Sequence, residues 1–325
     1  MFFSIIIPVK SINDYIRETV SFIFRMQSDN WELFILPNEP EVNEWGDERI
    51  HIIATGKVGP ADKRDIGAKK SIGDILVFLD DDSFPSDTLL QVAEKKFKDD
   101  TVAAIGGPGI TPESDSFWQK VSGAVFSSKF TGGAPERYHS LGAEREVDDW
   151  PSVNLMVRRY VFEEVGGFNS KFWPGEDTKL CTALLNSNRG KILYVPDLIV
   201  WHHRRGSIFA HLTQVGAYGL HRGYFARRYR GNSLRLKYFI PSALVVYTLT
   251  CFLTYVLSIA TFTQFSVGFI IYGLFLLLGA IEIARRNGLL VALATQPYIV
   301  SSHIYYGIKF LMGFFRKREL VSRFR

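Results

Sequence analysis

Apolar residues follow two rhythms along the chain. Through residues 1–203 they come in short runs separated by stretches with one apolar face. Beyond residue 238 they merge into runs with no polar face at all. In the first region Phe2-Phe3-Ser4-Ile5-Ile6-Ile7-Pro8-Val9 is a continuous β-branched run ended by proline, the pattern of a strand buried on both faces. Glu32–Leu36, Ile50–Ala54 and Ile75–Leu79 read as three more strands. Helices are predicted at about Asp14–Met26, at Ala61–Ser71 with Gly73 closing it, and at Ser86–Lys98. Ser86 is the expected N-cap of the last, with Leu89, Leu90, Ala93 and Phe97 on one face. Strands alternating with helices predict an α/β domain with a mostly parallel sheet, which binds ligands at the carboxyl ends of its strands.

The second rhythm is that of a membrane segment. Phe239 to Ile281 is a run of 43 residues without Asp, Glu, Lys, Arg or His. As one helix it would be roughly 65 Å long, about twice the hydrocarbon thickness of a bilayer. Two spans are therefore predicted, near Pro241–Phe262 and Ser266–Ala284, with Thr263-Gln264-Phe265 as the turn. Leu289–Phe315 is a third candidate, interrupted by Gln296-Pro297, His303 and Lys309. It reads either as a full span or as a re-entrant or interfacial segment broken at Pro297.

Charge sharpens this division. Residues 1–199 hold 22 Lys+Arg and 31 Asp+Glu, a balance of −9; residues 200–325 hold 16 and 2, a balance of +14. A basic half that also carries the apolar runs predicts a membrane surface, not nucleic acid, as its partner. Arg235 and Lys237 precede the first span and Arg285-Arg286 follow the second. The positive-inside bias then places the acidic half at the cytoplasmic face of the plasma membrane, on a multi-pass anchor. The tail Arg316-Lys317-Arg318…Arg323…Arg325 is also expected inside. No signal peptide is expected, because Ser4–Val9 is short and Lys10 closes it. Cys181 and Cys251 are expected as free thiols. The expected organisation is an α/β domain over 1–203, a basic amphipathic interfacial segment over 204–238, and a transmembrane region over 239–325. In the interfacial segment Arg222, Arg227, Arg228 and Arg230 would meet lipid headgroups.

Three groups of residues carry candidate chemistry. Asp80-Asp81-Asp82 follows the strand Ile75–Leu79 at the sheet's ligand edge, where close carboxylates repel one another unless a cation joins them. Hard oxygen ligands at this spacing suit Mg²⁺ or Mn²⁺ shared with a diphosphate. Trp173-Pro174-Gly175-Glu176-Asp177 opens an apolar helix. There the helix dipole favours an ionised Asp177, which can act as a general base. Val200-Trp201-His202-His203-Arg204-Arg205 ends a strand, and either His202 or His203 can complete a metal shell.

Taken together, these residues resemble a membrane-associated family 2 glycosyltransferase of the GT-A fold, a Rossmann-like architecture. The resemblance covers most of residues 1–230. It rests on Ser4–Val9, on Gly59-Pro60-Ala61-Asp62-Lys63-Arg64-Asp65-Ile66-Gly67-Ala68, on Ile75–Asp82, on Val165-Gly166-Gly167-Phe168 and on Gly175-Glu176-Asp177. It implies a nucleotide-sugar donor bound by Pro8, Glu39, Lys63, Arg64, Asp80 and Asp81, with Arg204 and Arg205 also at the donor. The metal would be held by Asp80 and Asp82, with His202. The catalytic pair would be Glu176 and Asp177, with Asp177 as base. Asp65 departs from the family's usual Asn, and Pro37-Asn38-Glu39-Pro40 replaces its usual acidic stretch after the second strand.

The implied reaction is an inverting, metal-dependent transfer of a sugar to a hydroxyl of a membrane-linked glycan. A polyprenyl-phosphate acceptor is the alternative within the family, and a nucleotidyltransferase or a non-catalytic scaffold the alternatives outside it. The sequence leaves the sugar, the base and the oligomeric state open.

Overall fold

The computed structural model describes residues 1–258 and 261–320, which form two compact units. Arg323 and Arg325, the end of the basic tail, lie outside the described residues. The first unit comprises Met1–Pro112 and His139–His203; the second comprises Glu113–Tyr138 and Arg204–Leu320. The expected 1–203 domain is thus interrupted, because residues 113–138 leave it and pack among the C-terminal helices.

In the first unit the strands are β1 (Phe3–Pro8), β2 (Trp31–Leu36), β3 (Ile50–Ile52), β4 (Ile75–Leu79), β5 (Ser83–Pro85), β6 (Val102–Gly106), β7 (Gly109–Ile110), β8 (Arg145–Val147), β9 (Asn154–Arg158), β10 (Lys191–Tyr194) and β11 (Val200–His202). Eight form one sheet in the order β3-β2-β1-β4-β9-β6-β10-β8, and β5-β11-β7 form a second. β1 pairs in parallel with β2 and β4, β2 with β3, and β6 with β10. β9 runs antiparallel between β4 and β6. The continuous apolar runs are explained by burial on both faces. Phe3, Ile5, Ile7, Ile75, Val77 and Leu79 join one core, whereas Ile6, Leu76 and Phe78 join the other.

Helices α1 (Asp14–Ile23), α2 (Pro60–Lys70), α3 (Leu89–Lys96), α5 (Arg159–Glu164) and α6 (Glu176–Asn186) cover the sheet. Ser86 is not the cap of α3. Thr88 stands there, and Ser86 follows β5 with its N–H on the Ile199 carbonyl at 3.1 Å. Strand pairing has claimed the residue that local spacing assigned to a helix start.

The second unit contains α4 (Phe117–Ala124), α7 (Ile208–Arg228), α8 (Ile240–Val256), α9 (Phe262–Asn287) and α10 (Leu289–Phe314). Among the described residues one helix, Thr263–Asn287, is long and apolar enough to cross a membrane; Ile240–Val256 is a shorter apolar helix. The expected turn at Thr263-Gln264-Phe265 is helical. Thr261 caps α9 in a reciprocal box with Gln264, which starts the helix earlier. α10 runs unbroken through Pro297. α7 packs along α10 through Gly216, Gly219 and Gly223, where any Cβ would come within 2.7 Å of the facing helix. Arg227 and Arg228 stay exposed and donate to the carbonyls of Phe314 and Lys317, at and just beyond the end of α10. Both cysteines are buried, and neither is in a disulfide.

Candidate active site

The site is built at the carboxyl end of β4. There the chain turns sharply. The Ser83 hydroxyl accepts the Asp80 N–H at 3.1 Å and donates to the Asp80 carbonyl at 2.8 Å. This turn presents Asp80, Asp81 and Asp82 together and leads straight into β5. The antiparallel register of β5 with β11 sets His202 opposite Ser83. His202 Nε2 consequently lies 3.0 Å from Asp82 Oδ1. Asp80, Asp82 and His202 each offer one ligand atom, all within 4.8 Å of one another. Two carboxylate oxygens and an imidazole nitrogen, largely shielded from solvent, fit a divalent cation.

Register also decides between the two histidines. His203 points the other way, with Nε2 2.8 Å from Glu18 Oε2 on α1 and its ring 4.7 Å from that of Tyr15. Its main-chain N–H holds the Asp82 carbonyl at 2.9 Å, so His203 steadies the turn from outside the cluster.

Behind the cluster lies a buried charge relay. Arg64, on α2, donates from Nη2 to Asp80 Oδ1 at 2.6 Å and from Nη1 to Glu176 Oε1 at 3.0 Å. The Arg64 and Glu176 side chains are only 3% and 6% exposed. Burial, reinforced by the adjacent Asp177 and opposed by Arg64, pushes the Glu176 carboxyl up to about 7. Arg64 Nε and Glu176 Oε2 are buried without a hydrogen-bond partner, so the relay holds one unused donor and one unused acceptor.

Glu176 and Asp177 open α6, and left-handed Gly175, with φ of 113°, turns the chain into it. Asp177 is half-buried and its Oδ1 accepts the Thr178 N–H at 2.7 Å. The Thr178 hydroxyl donates to buried Asp149 at 3.1 Å. Asp149 belongs to this helix start and was not singled out from sequence. The only local signal is the pair Asp148-Asp149 ahead of Trp150.

Other expected donor residues have different surroundings. Lys63 gives its three N–H groups to the Val9 carbonyl at 2.6 Å, the Leu36 carbonyl at 2.8 Å and Asn38 Oδ1 at 2.8 Å. Burial lowers its pKa to about 8. A lysine with all three donors engaged positions the ends of β1 and β2. Pro8 is buried at the end of β1, and Glu39 is exposed in the loop after β2. Asp65, the departure from the usual Asn, accepts the N–H groups of Phe168 and Asn169 at 2.9 Å each. It thereby fastens the Gly166-Gly167 turn, whose glycines have φ of 80° and 74°. Arg204 and Arg205 belong to the second unit. There the Arg204 guanidinium lies 4.8 Å from the Tyr138 ring centroid, and the Arg204 main-chain N–H donates to Asp115 Oδ2 at 3.2 Å.

Residues 4–166 match the family described as Glycosyl transferase family 2. A stretch of 165 residues is 30% identical to the pre-mycofactocin glycosyltransferase of Mycobacterium tuberculosis, in strains CDC 1551 / Oshkosh and ATCC 25618 / H37Rv. It covers 50% of this chain and 33% of that protein. The chain therefore spans about a third of the length of the curated relatives it matches. Its fold is similar to that of the mannosyltransferase PcManGT from Pyrobaculum calidifontis, solved in complex with GDP-Man and Mn²⁺. The TM-score is 0.60 at 15% identity, over 94% of this chain and 86% of that one. With a mostly parallel GT-A-like sheet, a carboxylate turn at the end of its fourth strand and a family match over half its length, this chain belongs to glycosyl transferase family 2.

Proposed function

We propose that the protein is an inverting, metal-dependent glycosyltransferase. It moves a sugar from a nucleotide-sugar donor to a hydroxyl of a membrane-linked glycan, with its catalytic unit on the cytoplasmic face of the membrane. The observation that carries this reading is the Asp80–Asp82–His202 cluster at the carboxyl end of β4. Asp80, Asp82 and His202 would hold the cation, and the imidazole among the ligands favours Mn²⁺ over Mg²⁺. When bound, the cation supplies positive charge to the leaving diphosphate.

The chain's own groups do the rest. Arg64 holds the Asp80 carboxylate in place and keeps Glu176 fixed at the start of α6. Asp177, the next residue, accepts the proton of the attacking hydroxyl. One in-line attack at the anomeric carbon, with the nucleoside diphosphate leaving from the opposite face, inverts that centre. The apolar α8 and α9 anchor the chain, with Arg285 and Arg286 at the cytoplasmic end of α9.

The test is a screen of sugar nucleotides with purified protein, Mn²⁺ and a lipid extract. Release of nucleoside diphosphate with glycosylated lipid is expected. Release of pyrophosphate would assign a nucleotidyltransferase instead, and failure to bind any nucleotide would point to a scaffold.

A further inference from the structure

Glu113–Tyr138, the segment that leaves the first unit, is bound to the apolar helices through α4 and the loop that follows it. α4 sets Val121, Ala124 and Val125 against Ile283 of α9 and against Val291 and Ala292 of α10. Beyond it the chain is clamped to the end of α9. Ser128 Oγ and the Lys129 N–H both donate to Glu282 Oε2, at 2.9 and 3.0 Å. Arg286 pairs with the same carboxylate at 3.1 Å and donates to the Ser127 carbonyl at 3.0 Å.

Glu282 is the residue at which the uncharged run 239–281 ends, so this clamp marks the edge of the apolar zone. The loop continues past that edge. A Cβ at Gly279 would meet Thr131 Cγ2 at 2.7 Å. Gly279 stands three residues before Glu282, about 4.5 Å along the helix axis toward the middle of the run. The Thr131 carbonyl accepts from His303 Nε2 at 2.8 Å, and His303 Nδ1 accepts from the Tyr272 hydroxyl at 2.9 Å. Phe130, at the tip, is 43% exposed. Trp118 is also exposed and stacks on Tyr298 with centroids 6.2 Å apart.

Irregular backbone survives at membrane depth only where its polar groups are taken up by protein. Much of this loop meets that condition, although the buried Thr131 Oγ1 has no partner. Besides the Ser127, Lys129 and Thr131 groups already named, the Phe130 N–H donates to Ser128 Oγ at 3.2 Å and the Gly133 N–H to the Ser128 carbonyl at 3.1 Å. An exposed phenylalanine on a solvated loop has no need of such an arrangement. Exposed Lys129 and Arg285 form a basic collar, Arg286 being paired with Glu282, and Trp118 is an amphipathic ring of the kind that settles among headgroups.

From these features we infer that residues 127–133 form a membrane wedge, which inserts Phe130 into the acyl-chain boundary of the cytoplasmic leaflet while the basic collar meets anionic headgroups. The inference rests on the membrane reading above, through α9.

The experiment places a nitroxide at Phe130→Cys, at Val267→Cys in α9 and at Val42→Cys in the first unit. The last two sites are 62% and 83% exposed. The full chain is reconstituted in vesicles of phosphatidylcholine and phosphatidylglycerol, and collision with oxygen is compared with collision with a water-soluble nickel chelate. The native cysteines are buried, and the unsubstituted protein sets the labelling background. Positions 130 and 267 should lose nickel-chelate relaxation and keep oxygen relaxation, with the reverse at 42. A lipid signal at 267 with an aqueous signal at 130 would overturn the wedge and leave the membrane anchor standing. Aqueous signals at both would overturn the anchor and the wedge together.

Discussion

Arg64 Nη1 donates to Glu176 Oε1 at 3.0 Å, across 112 residues of sequence, in a site that excludes water from both side chains. The same guanidinium holds Asp80, so the carboxylate turn after β4 and the start of α6 share one cation. Neither end is independent of the other: a change at Arg64 reaches both the metal ligands and the helix that carries Asp177.

Removing Arg64 should therefore be costly. Arg64→Ala leaves the Glu176 charge buried without its partner, which should destabilise the protein by about 3–5 kcal/mol at pH 8. The double variant Arg64→Ala/Glu176→Gln should recover much of that loss. Urea denaturation of the two single variants and the double variant measures the coupling; strict additivity would mean that the ion pair contributes nothing.

The same burial makes stability depend on pH. The Glu176 carboxyl is raised from its ordinary 4.5 to about 7, so the folded chain binds this proton more tightly than the unfolded chain. That contribution is complete below 4.5 and is lost as pH rises through 7. The thermal midpoint of the wild type relative to Glu176→Gln should fall across this window. A difference that is flat or rises with pH would contradict the assignment.

Cation binding should require Asp82 and depend on His202. Asp82→Ala should abolish Mn²⁺-dependent binding of a nucleoside diphosphate in calorimetry, and His202→Ala should weaken it. Arg64→Lys, which loosens the group holding Asp80, should cost roughly 10–100-fold in Mn²⁺ affinity, as is usual for partners of metal ligands. His203→Ala should leave the Mn²⁺ titration unchanged, because that ring is engaged with Glu18.

Asp177→Asn separates the two possible acceptors. If the acceptor is a hydroxyl, turnover should fall by roughly 10²–10⁴-fold with the donor dissociation constant nearly unchanged. An ionised polyprenyl phosphate needs no base, so near-normal turnover would favour that acceptor. Joint loss of donor binding and turnover would move Asp177 into the nucleotide site.

Topology is open to a labelling test. Cysteines at Gln264 and Arg286 flank α9 and should react from opposite sides of sealed vesicles; reaction from the same side would remove α9 as a span.

The division between local and tertiary information follows from range. Where burial on both faces forces a nearly continuous apolar run, as in β1 and β4, strands are legible in the sequence, and so is the carboxylate turn after β4. The uncharged run and the charge asymmetry are equally plain, because composition survives any packing. Even the early start of α9 had a local signal, the Thr261–Gln264 box.

Tertiary structure decided what depends on partners far away in sequence. Whether His202 or His203 meets Asp82 is fixed by one residue of register between β5 and β11. β9 enters antiparallel between β4 and β6 through pairings more than 40 residues apart in sequence. Lys63 is fastened at the ends of β1 and β2 by the carbonyls of Val9 and Leu36, with Asn38 Oδ1 taking its third N–H. Residues 121–129 are held in the second unit by the apolar side chains of α9 and α10 and by Glu282 and Arg286, more than 150 residues later. Apolar periodicity is written locally, but the pairing of buried charges and the register of short strands are settled only when distant segments compete for the same partners.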